Sequence, residues 1–200
     1  MTTLSYDKIL VAPVGNKRIR YGILFGNEKT VFIKAGANGD IPGYQGKYLK
    51  MAHRIHARIG ATVICASNPD TDERVHLKKD RGLIEKVIAD CGFDKPELYF
   101  AGMSDGGYLS LLLAQQFSQT AKHLGINASH KGIADFAERI QSLPHVKKIL
   151  VYGTEDEESR PDIPIVRSLT CDNLEIILLD GIDHDFTGHV DDFIALIDLL

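Results

Sequence analysis

The chain has 200 residues, with 23 Lys or Arg against 27 Asp or Glu and a formal net charge of −4. Apolar residues make up 44% and charged residues 25%, values usual for a folded globular domain and unlike those of a disordered chain. The basic excess of a nucleic-acid binder is absent. No apolar run approaches the roughly 20 residues that span a bilayer, and the start of the chain does not resemble a signal peptide. We therefore expect one cytoplasmic domain over residues 1–200, with no nucleic-acid or membrane partner.

Three cysteines, Cys65, Cys91 and Cys171, are scattered along the chain. They are too few and too far apart for a disulfide framework or a zinc ribbon. Each lies in an apolar run or at the end of a segment, so we expect three buried free thiols.

The first half of the chain predicts a hairpin followed by alternating strands and helices. Apolar and β-branched runs predict five strands, at residues 4–12, 19–25, 31–34, 61–66 and 98–101. Apolar residues at helical spacing predict three helices, with stripes at residues 48–59, 84–91 and 108–117. Asp70 and Glu73 have the spacing of a capping box at the start of the second helix. The third helix is apolar on nearly every side and is expected to be buried.

The second half continues the alternation. Three further strands are predicted at residues 122–127, 148–152 and 174–179, and three further helices at residues 133–143, 163–169 and 190–197. Alternation of this kind is typical of parallel sheets with crossover helices. The predicted fold class is α/β, with an eight-stranded, mostly parallel sheet flanked by helices on both faces.

One motif between the fifth strand and the third helix points to chemistry. Residues 102–107 read Gly-Met-Ser-Asp-Gly-Gly, which places Ser104 in a G-x-S-x-G pattern between a strand and a buried helix. A serine in such a tight turn is held in an unfavourable backbone conformation, and the flanking glycines leave room for neighbouring backbone. The following helix directs its N-terminus at the serine, which favours an oxyanion there. The pattern predicts that Ser104 is a nucleophile.

A serine hydroxyl needs a base, and the chain offers eight histidines. His184 follows the last apolar strand directly, at the carboxyl edge where open α/β sheets place their sites. The others lie on helix faces predicted to be exposed, at helix ends, or beside the sixth strand; they are His53, His56, His76, His123, His130, His145 and His189. His184 is therefore the predicted base.

The third group should be an acid that orients the histidine. Asp156 lies just beyond the seventh strand, again at a carboxyl end. Glu155 and Glu157 are adjacent competitors, because the register of a loop cannot be fixed to one residue from the sequence. We predict Asp156 and keep the two glutamates as alternatives.

With this order of serine, acid and histidine, the sequence resembles the α/β-hydrolases over most of its length. In that family the nucleophile follows the fifth strand, the acid the seventh and the histidine the eighth, and Ser104, Asp156 and His184 match those places. The resemblance implies an oxyanion hole formed by the N–H of Asp105 and by an N–H of the loop after the third strand, here Ala37. It also implies hydrolysis of an ester, thioester or amide through an acyl-serine.

Two features depart from the family pattern. Ala35 replaces the histidine common in the oxyanion loop, which makes Asn38 a neighbour to consider, and an acidic Asp105 beside the nucleophile would oppose an anionic transition state unless its carboxylate points away. Residues 127–144 have room for only one helix where many relatives insert a cap domain. We therefore expect an open site without a large lid, for which only residues 39–46 and 157–164 could supply a mobile cover.

Other classes of function find less support. Gly46-Lys47 lacks the remaining residues of a P-loop, and no G-x-G-x-x-G follows an early strand, so no cofactor is predicted. Asp183, His184, Asp185 and His189 match no strong metal signature, and no metal is predicted. An acyltransferase with the same three residues, or a catalytically silent binding module of the same fold, stay open as alternatives. The expected partner is a small-molecule or acylated substrate, and the sequence leaves the oligomeric state open.

Overall fold

Eight strands form a single sheet in the computed structural model, which describes residues 4–128 and 133–200. The strands are β1 (Lys8–Val14), β2 (Lys17–Leu24), β3 (Asn27–Lys34), β4 (Ala61–Ala66), β5 (Glu97–Met103), β6 (Thr120–Ile126), β7 (Lys147–Gly153) and β8 (Leu174–Leu179). Their order across the sheet is β1-β2-β4-β3-β5-β6-β7-β8. β2 is antiparallel to both β1 and β4, and all other pairs are parallel.

Helices cover both faces of this sheet. They are α1 (Lys47–Ile59), α2 (Glu73–Cys91), α3 (Asp105–Ala114), α4 (Ile133–Gln141), α5 (Ile163–Arg167) and α6 (Val190–Ala195). Alternate residues of the buried strands point to opposite faces, so the sheet divides the apolar interior into two cores. One core contains residues of α1 and α6, and the other contains residues of α2, α3, α4 and α5. The predicted fold class is confirmed.

The opening hairpin begins later than predicted. β1 starts at Lys8 rather than at residue 4, and its turn to β2 contains Gly15 with φ 59. A positive φ is easily adopted by glycine, which explains why the chain reverses there. Pro13 pairs with Arg18 inside this ladder. Proline is tolerated because β1 is an edge strand, where a missing N–H need not cost a ladder bond.

The predicted start of α2 was wrong by two residues. Asp72, not Asp70, caps the helix, because its carboxylate accepts a hydrogen bond from the Arg74 N–H. Asp70 lies before the helix and instead forms an ion pair with Lys17 at 2.8 Å. Two aspartates this close together cannot be told apart by spacing alone, and only the one with extended backbone at the helix boundary can cap it.

The expectation for the cysteines holds in part. All three are free, but only Cys65 is buried, whereas Cys91 and Cys171 are half-buried. Within the described ranges, none of the helices has the length and apolar character needed to cross a bilayer.

The topology places several loops at one edge of the sheet. β3, β4, β5, β6, β7 and β8 run parallel, so their carboxyl ends all lie at that edge. The loops after β3, β5, β7 and β8 carry the residues that the sequence predicted for the oxyanion hole, nucleophile, acid and base. The fold therefore brings four distant stretches of chain together.

Candidate active site

Ser104 occupies a strained turn between β5 and α3. Its backbone has φ 53 and ψ −130, a conformation that residues with a side chain rarely adopt. The turn is closely packed: a Cβ on Gly102 would lie 2.1 Å from the Gly106 carbonyl oxygen, and one on Gly106 would lie 2.2 Å from the Ala35 carbonyl oxygen. Only glycine fits at both places, as the sequence pattern predicts. The Ser104 N–H donates to the Ile126 carbonyl at 2.9 Å and ties the turn to β6.

The carboxylate of Asp105 is held by a neighbouring side chain. Asn68, a buried residue two positions after β4, donates from Nδ2 to Asp105 Oδ2 at 2.9 Å. This bond ties the Asp105 carboxylate to the segment that follows β4. The Asp105 N–H belongs to the first turn of α3, where N–H groups have no acceptor within the helix.

The loop after β3 is fixed by hydrogen bonds on both sides of Ala37. The Gly36 N–H donates to the Tyr48 hydroxyl at 3.1 Å, and the Asn38 N–H donates to the Asn68 carbonyl at 2.7 Å. Among the described residues, none accepts a hydrogen bond from the Ala37 N–H. The N–H of Asn38, the neighbour considered above, is therefore already hydrogen-bonded. The N–H of Ala37 is the one that a ligand could meet.

His184 and Asp156 form a direct pair. His184 Nδ1 lies 3.0 Å from both carboxylate oxygens of Asp156. The Asp156 side chain is fully buried, and that of His184 is 17% exposed. Because a carboxylate only accepts, the pair places a proton on Nδ1 and leaves Nε2 to exchange protons with other groups.

The local chain explains why Asp156, rather than Glu155 or Glu157, reaches the histidine. Its carboxylate also accepts hydrogen bonds from the N–H and hydroxyl of Ser159, and from the Glu158 N–H at 2.9 Å. These bonds require a short side chain that folds back on its own loop. Glu155 and Glu157 are exposed.

The contact between His184 and Asp156 changes the pKa of both residues. Burial alone would raise the pKa of Asp156, but hydrogen bonds from His184 and Ser159 outweigh burial and hold that pKa below its usual value. Burial alone would lower the pKa of His184. The hydrogen bond and charge of Asp156, with the charges of Glu158 and Asp185, raise it above its ordinary 6.5. The structure therefore stabilises an imidazolium at residue 184.

Ser104, His184 and Ala37 line one open cavity of about 520 Å³. Within the described residues, Ser104 and His184 are not hydrogen-bonded to each other, and His184 Nε2 lies 3.5 Å from Glu158 Oε2. The rest of the lining comes from residues 36, 38–40 and 42–44, from Met103, from the start of α1 and from the loops beyond β7 and β8. The two segments predicted as possible mobile cover, 39–46 and 157–164, contribute residues 39–44 and Glu158 to this wall, apart from Ile41.

Lys47 is a lining residue that the sequence reasoning missed. It is 5% exposed, and its Nζ lies 3.1 Å from Met103 Sδ and 4.5 Å from the centre of the Phe193 ring. Burial lowers the pKa of Lys47, and the charges of Asp185 and Asp183 offset only part of that shift. The sequence placed Lys47 at the start of an amphipathic helix, where a lysine is expected to be exposed. Its burial depends on the packing of α1 against α6, which the sequence does not show.

Two other histidines have structural roles. His76 was predicted on an exposed face, which is wrong: it is 2% exposed, and its Nδ1 lies 3.1 Å from the buried Lys34 Nζ. Lys34 also pairs with Asp80 at 2.7 Å, so a polar cluster lies beneath α2. His123 is buried against α3, with Nε2 3.0 Å from Ser110 Oγ. His130 lies outside the described residues.

The structure also shows the surroundings of His189 and bears on the possibility of a metal site. His189 precedes α6, is exposed, and pairs through Nδ1 with Asp192 at 3.0 Å. In the part of the chain that the structure describes, no three His, Cys, Asp or Glu side chains form a group that could hold a metal ion.

Comparison with known proteins bears on the fold. No family model matches the chain, and no curated protein sequence matches it. Solved structures do. An alpha-beta serine hydrolase homologue from Coxiella burnetii superposes with a TM-score of 0.73 at 15% identity, covering 100% of both chains.

Two further solved structures have the same fold as this chain. XC6422 from Xanthomonas campestris, described as an a/b serine hydrolase without lid, gives a TM-score of 0.71 at 16% identity over 97% of this chain and 93% of that one. A thioesterase domain from the curacin biosynthetic pathway gives 0.64 at 13% identity, over 96% and 98%. The resemblance seen in the sequence is confirmed at the level of architecture: this chain has the α/β-hydrolase fold.

Proposed function

We propose that the protein is a serine hydrolase that cleaves an ester, a thioester or an amide through an acyl-serine intermediate. The observation that carries the proposal is the His184–Asp156 hydrogen bond on the same cavity wall as a strained Ser104. The hydrolase and thioesterase descriptions of structures with the same fold support it. Ser104 is the nucleophile, His184 the base and Asp156 the orienting acid.

In the first half of the reaction, Ser104 Oγ attacks the substrate carbonyl carbon while His184 Nε2 takes the hydroxyl proton. Within the described residues Nε2 and Oγ are not hydrogen-bonded to each other, and such contacts are often long until a substrate is bound. The N–H groups of Ala37 and Asp105 receive the oxyanion, each contributing about 3 kcal/mol in the transition state. The carbonyl-to-leaving-group bond then breaks, and the leaving group departs with the proton from Nε2.

In the second half, water attacks the acyl-serine and gives a proton to His184 Nε2. The bond from the acyl carbon to Ser104 Oγ breaks, Oγ recovers the proton, and a carboxylic acid is released. Asp156 keeps the Nδ1 proton in place and stabilises the imidazolium in both halves. An amine or alcohol in place of water would make the same intermediate an acyltransferase.

The open cavity favours a small substrate or an acyl group carried by a larger molecule. Its wall combines the aromatic rings of Tyr44 and Tyr48 with charged Lys47, Glu158 and Asp185. A mixed wall of this kind does not form the long apolar channel that a lipid chain requires.

A panel of p-nitrophenyl esters, acyl-CoA thioesters and aminoacyl amides tests the proposal. We expect turnover of at least one class, and a fall in kcat on the order of 10³-fold or more in Ser104→Ala with the circular dichroism spectrum unchanged. Added amines or alcohols that divert the acyl group into new amides or esters would identify an acyltransferase. Turnover that persists unchanged in Ser104→Ala would contradict the proposal, and no turnover of any class would favour the binding module.

A further inference from the structure

Asn127 is a buried residue at the carboxyl end of β6. It is completely inaccessible to solvent, and its backbone has φ 43, in the left-handed region. Asparagine enters that region more readily than most residues. Its own N–H donates to the Val151 carbonyl at 2.8 Å, so the strand end is fixed against β7.

The side chain of Asn127 joins two other loops. Nδ2 donates to the Asp183 carbonyl at 3.1 Å and to the His184 carbonyl at 2.9 Å. Oδ1 accepts from the Gly153 N–H at 2.9 Å. One amide group thus satisfies two acceptors and one donor of the main chain, on segments 26 and 57 residues away.

Those two segments carry the histidine and its acid. Gly153 ends β7 and leads directly to Asp156, whereas residues 183 and 184 belong to the loop after β8. We propose that Asn127 is a positioning residue that holds the His184–Asp156 pair in register by clamping the two loops that bear it. The inference deepens the proposed function and rests on it, and Asn127 acts through the main chain and not on the substrate.

Few other side chains could replace the amide of Asn127. An aspartate at 127 would direct a carboxylate at two carbonyl oxygens. An alanine would remove the donor to the His184 carbonyl and the acceptor of the Gly153 N–H, and would leave the Asp183 carbonyl only its longer bond from the Phe186 N–H at 3.4 Å. The two loops are already in contact, since the Glu155 N–H donates to the Ile182 carbonyl at 3.0 Å and a Cβ on Gly153 would lie 2.1 Å from the same oxygen, so they cannot move closer together to replace the lost bonds. Both the donors and the acceptor of an amide are therefore needed.

The test combines kinetics with NMR of the whole chain. In Asn127→Ala we expect kcat to fall by about 10- to 100-fold with KM changed less than threefold, by analogy with the loss of groups that orient a ligand or base. The His184 pKa, followed by ¹⁵N chemical shifts, should move downward as its bond to Asp156 loosens. Asn127→Asp should lower kcat by at least as much. An unchanged His184 pKa, with kcat within twofold of the wild type, would overturn the proposal.

A matched control removes a similar bond elsewhere. Asn173 donates from Nδ2 to the Pro144 carbonyl in an exposed loop, and Asn173→Ala should leave both kcat and the His184 pKa unchanged. If either shifts as in Asn127→Ala, the effect is general loosening and the proposal fails.

Wild-type measurements keep the proposal testable if the variants do not fold. Both Asn127 Nδ2 protons should exchange with solvent at least 100-fold more slowly than those of a free amide; exchange at the free rate would overturn the clamp. The His184 readout also needs no turnover. An inactive wild type whose His184 pKa still depends on Asn127 would reject the hydrolase and keep the positioning role.

Discussion

The strain at Ser104 gives a stability prediction that is separate from activity. With φ 53 and ψ −130, the backbone suits glycine better than a residue with a Cβ. Ser104→Gly and Ser104→Ala both remove the hydroxyl, but only the glycine relieves the strain. We expect Ser104→Gly to have the larger free energy of unfolding, by about 1 kcal/mol, in urea titrations of the two variants. An alanine variant as stable as the glycine variant would show that the turn is not strained.

The raised pKa of His184 sets the direction of the pH dependence. The base must be neutral to accept a proton, so kcat/KM should rise as pH increases through the His184 pKa. Because Asp156, Glu158 and Asp185 raise that pKa, the midpoint of the acid limb should lie above 6.5. A pH–rate profile from pH 5 to 9 measures it, and a midpoint below 6.5 would contradict the electrostatic account.

Glu158 can be tested separately within that profile. Its carboxylate lies 3.5 Å from Nε2 and is exposed, so its effect is screened by water. Glu158→Gln should lower the midpoint, because it removes one of the charges that raise the His184 pKa. Glu157→Gln, one residue away and also exposed, serves as the control and should leave the midpoint in place. Equal shifts in both variants would indicate a diffuse effect of net charge.

At the scale of single residues, the sequence predicted those positions whose reason is local. Ser104 was predicted as the nucleophile because its turn needs glycine neighbours, and His184 as the base because it follows an apolar strand. Asp156 was predicted, but Glu155 and Glu157 stayed as alternatives, since the choice depends on the fold of the loop around Ser159. His76 was misassigned because its buried partner, Lys34, comes from another element.

Close packing between elements makes Gly106 hard to replace. A Cβ there would lie 2.2 Å from the Ala35 carbonyl oxygen, so Gly106→Ala must push α3 away from the end of β3. We expect a loss of about 3 kcal/mol or more in the free energy of unfolding, together with a fall in kcat, because Ala35 begins the oxyanion loop.

Gly36 provides the control for that substitution. A Cβ at this position would lie 3.4 Å from the Met103 carbonyl oxygen and 3.6 Å from Ser104 Cβ, which are ordinary contacts. Gly36→Ala should therefore cost less than about 1 kcal/mol by thermal denaturation. Similar losses in the two alanine variants would show that helix–strand contact does not limit the turn.

At the scale of elements, hydrophobic spacing predicted the existence and type of the strands and helices more reliably than their ends. β3 begins at Asn27, earlier than the apolar run at 31, because its first residues pair with β4 and β5 while still exposed. α2 is capped by Asp72 rather than Asp70. Both differences depend on pairing or backbone conformation that local sequence does not encode.

The buried Lys34–Asp80 pair links the sheet to α2 and gives a prediction for the whole molecule. Both side chains are almost inaccessible, and Asp80 also accepts from the Tyr21 hydroxyl at 2.8 Å. Asp80→Ala would leave a buried ammonium without its counter-ion, and we expect a loss of about 3 to 5 kcal/mol in the free energy of unfolding. Urea denaturation of the variant measures this loss.

An exposed pair on the same helix is the control. Arg81 and Glu85 pair at 2.8 Å with about half of each side chain exposed. Glu85→Ala should cost no more than about 0.5 kcal/mol, because water screens the pair. Losses of equal size in the two variants would mean that burial does not govern these ion pairs.

For the whole molecule, the alternation of strands and helices was enough to predict an α/β sheet covered on both faces. The strand order β1-β2-β4-β3 was not predictable in this way, because it depends on how the chain crosses over between elements. The mixed charge of the cavity wall was also not predictable from the sequence. Lys47 lies on a helix that reads as amphipathic, and its burial arises only when α1 packs against α6.

Covalent labelling with a fluorophosphonate probe tests the central claim most directly. Intact-mass and peptide mass spectrometry of the folded chain should show one adduct, on Ser104, that is absent from Ser104→Ala and forms on the order of 10³-fold more slowly in His184→Ala. A folded wild type that takes up no probe, or takes it up at another residue, would contradict the assignment of Ser104 as the nucleophile.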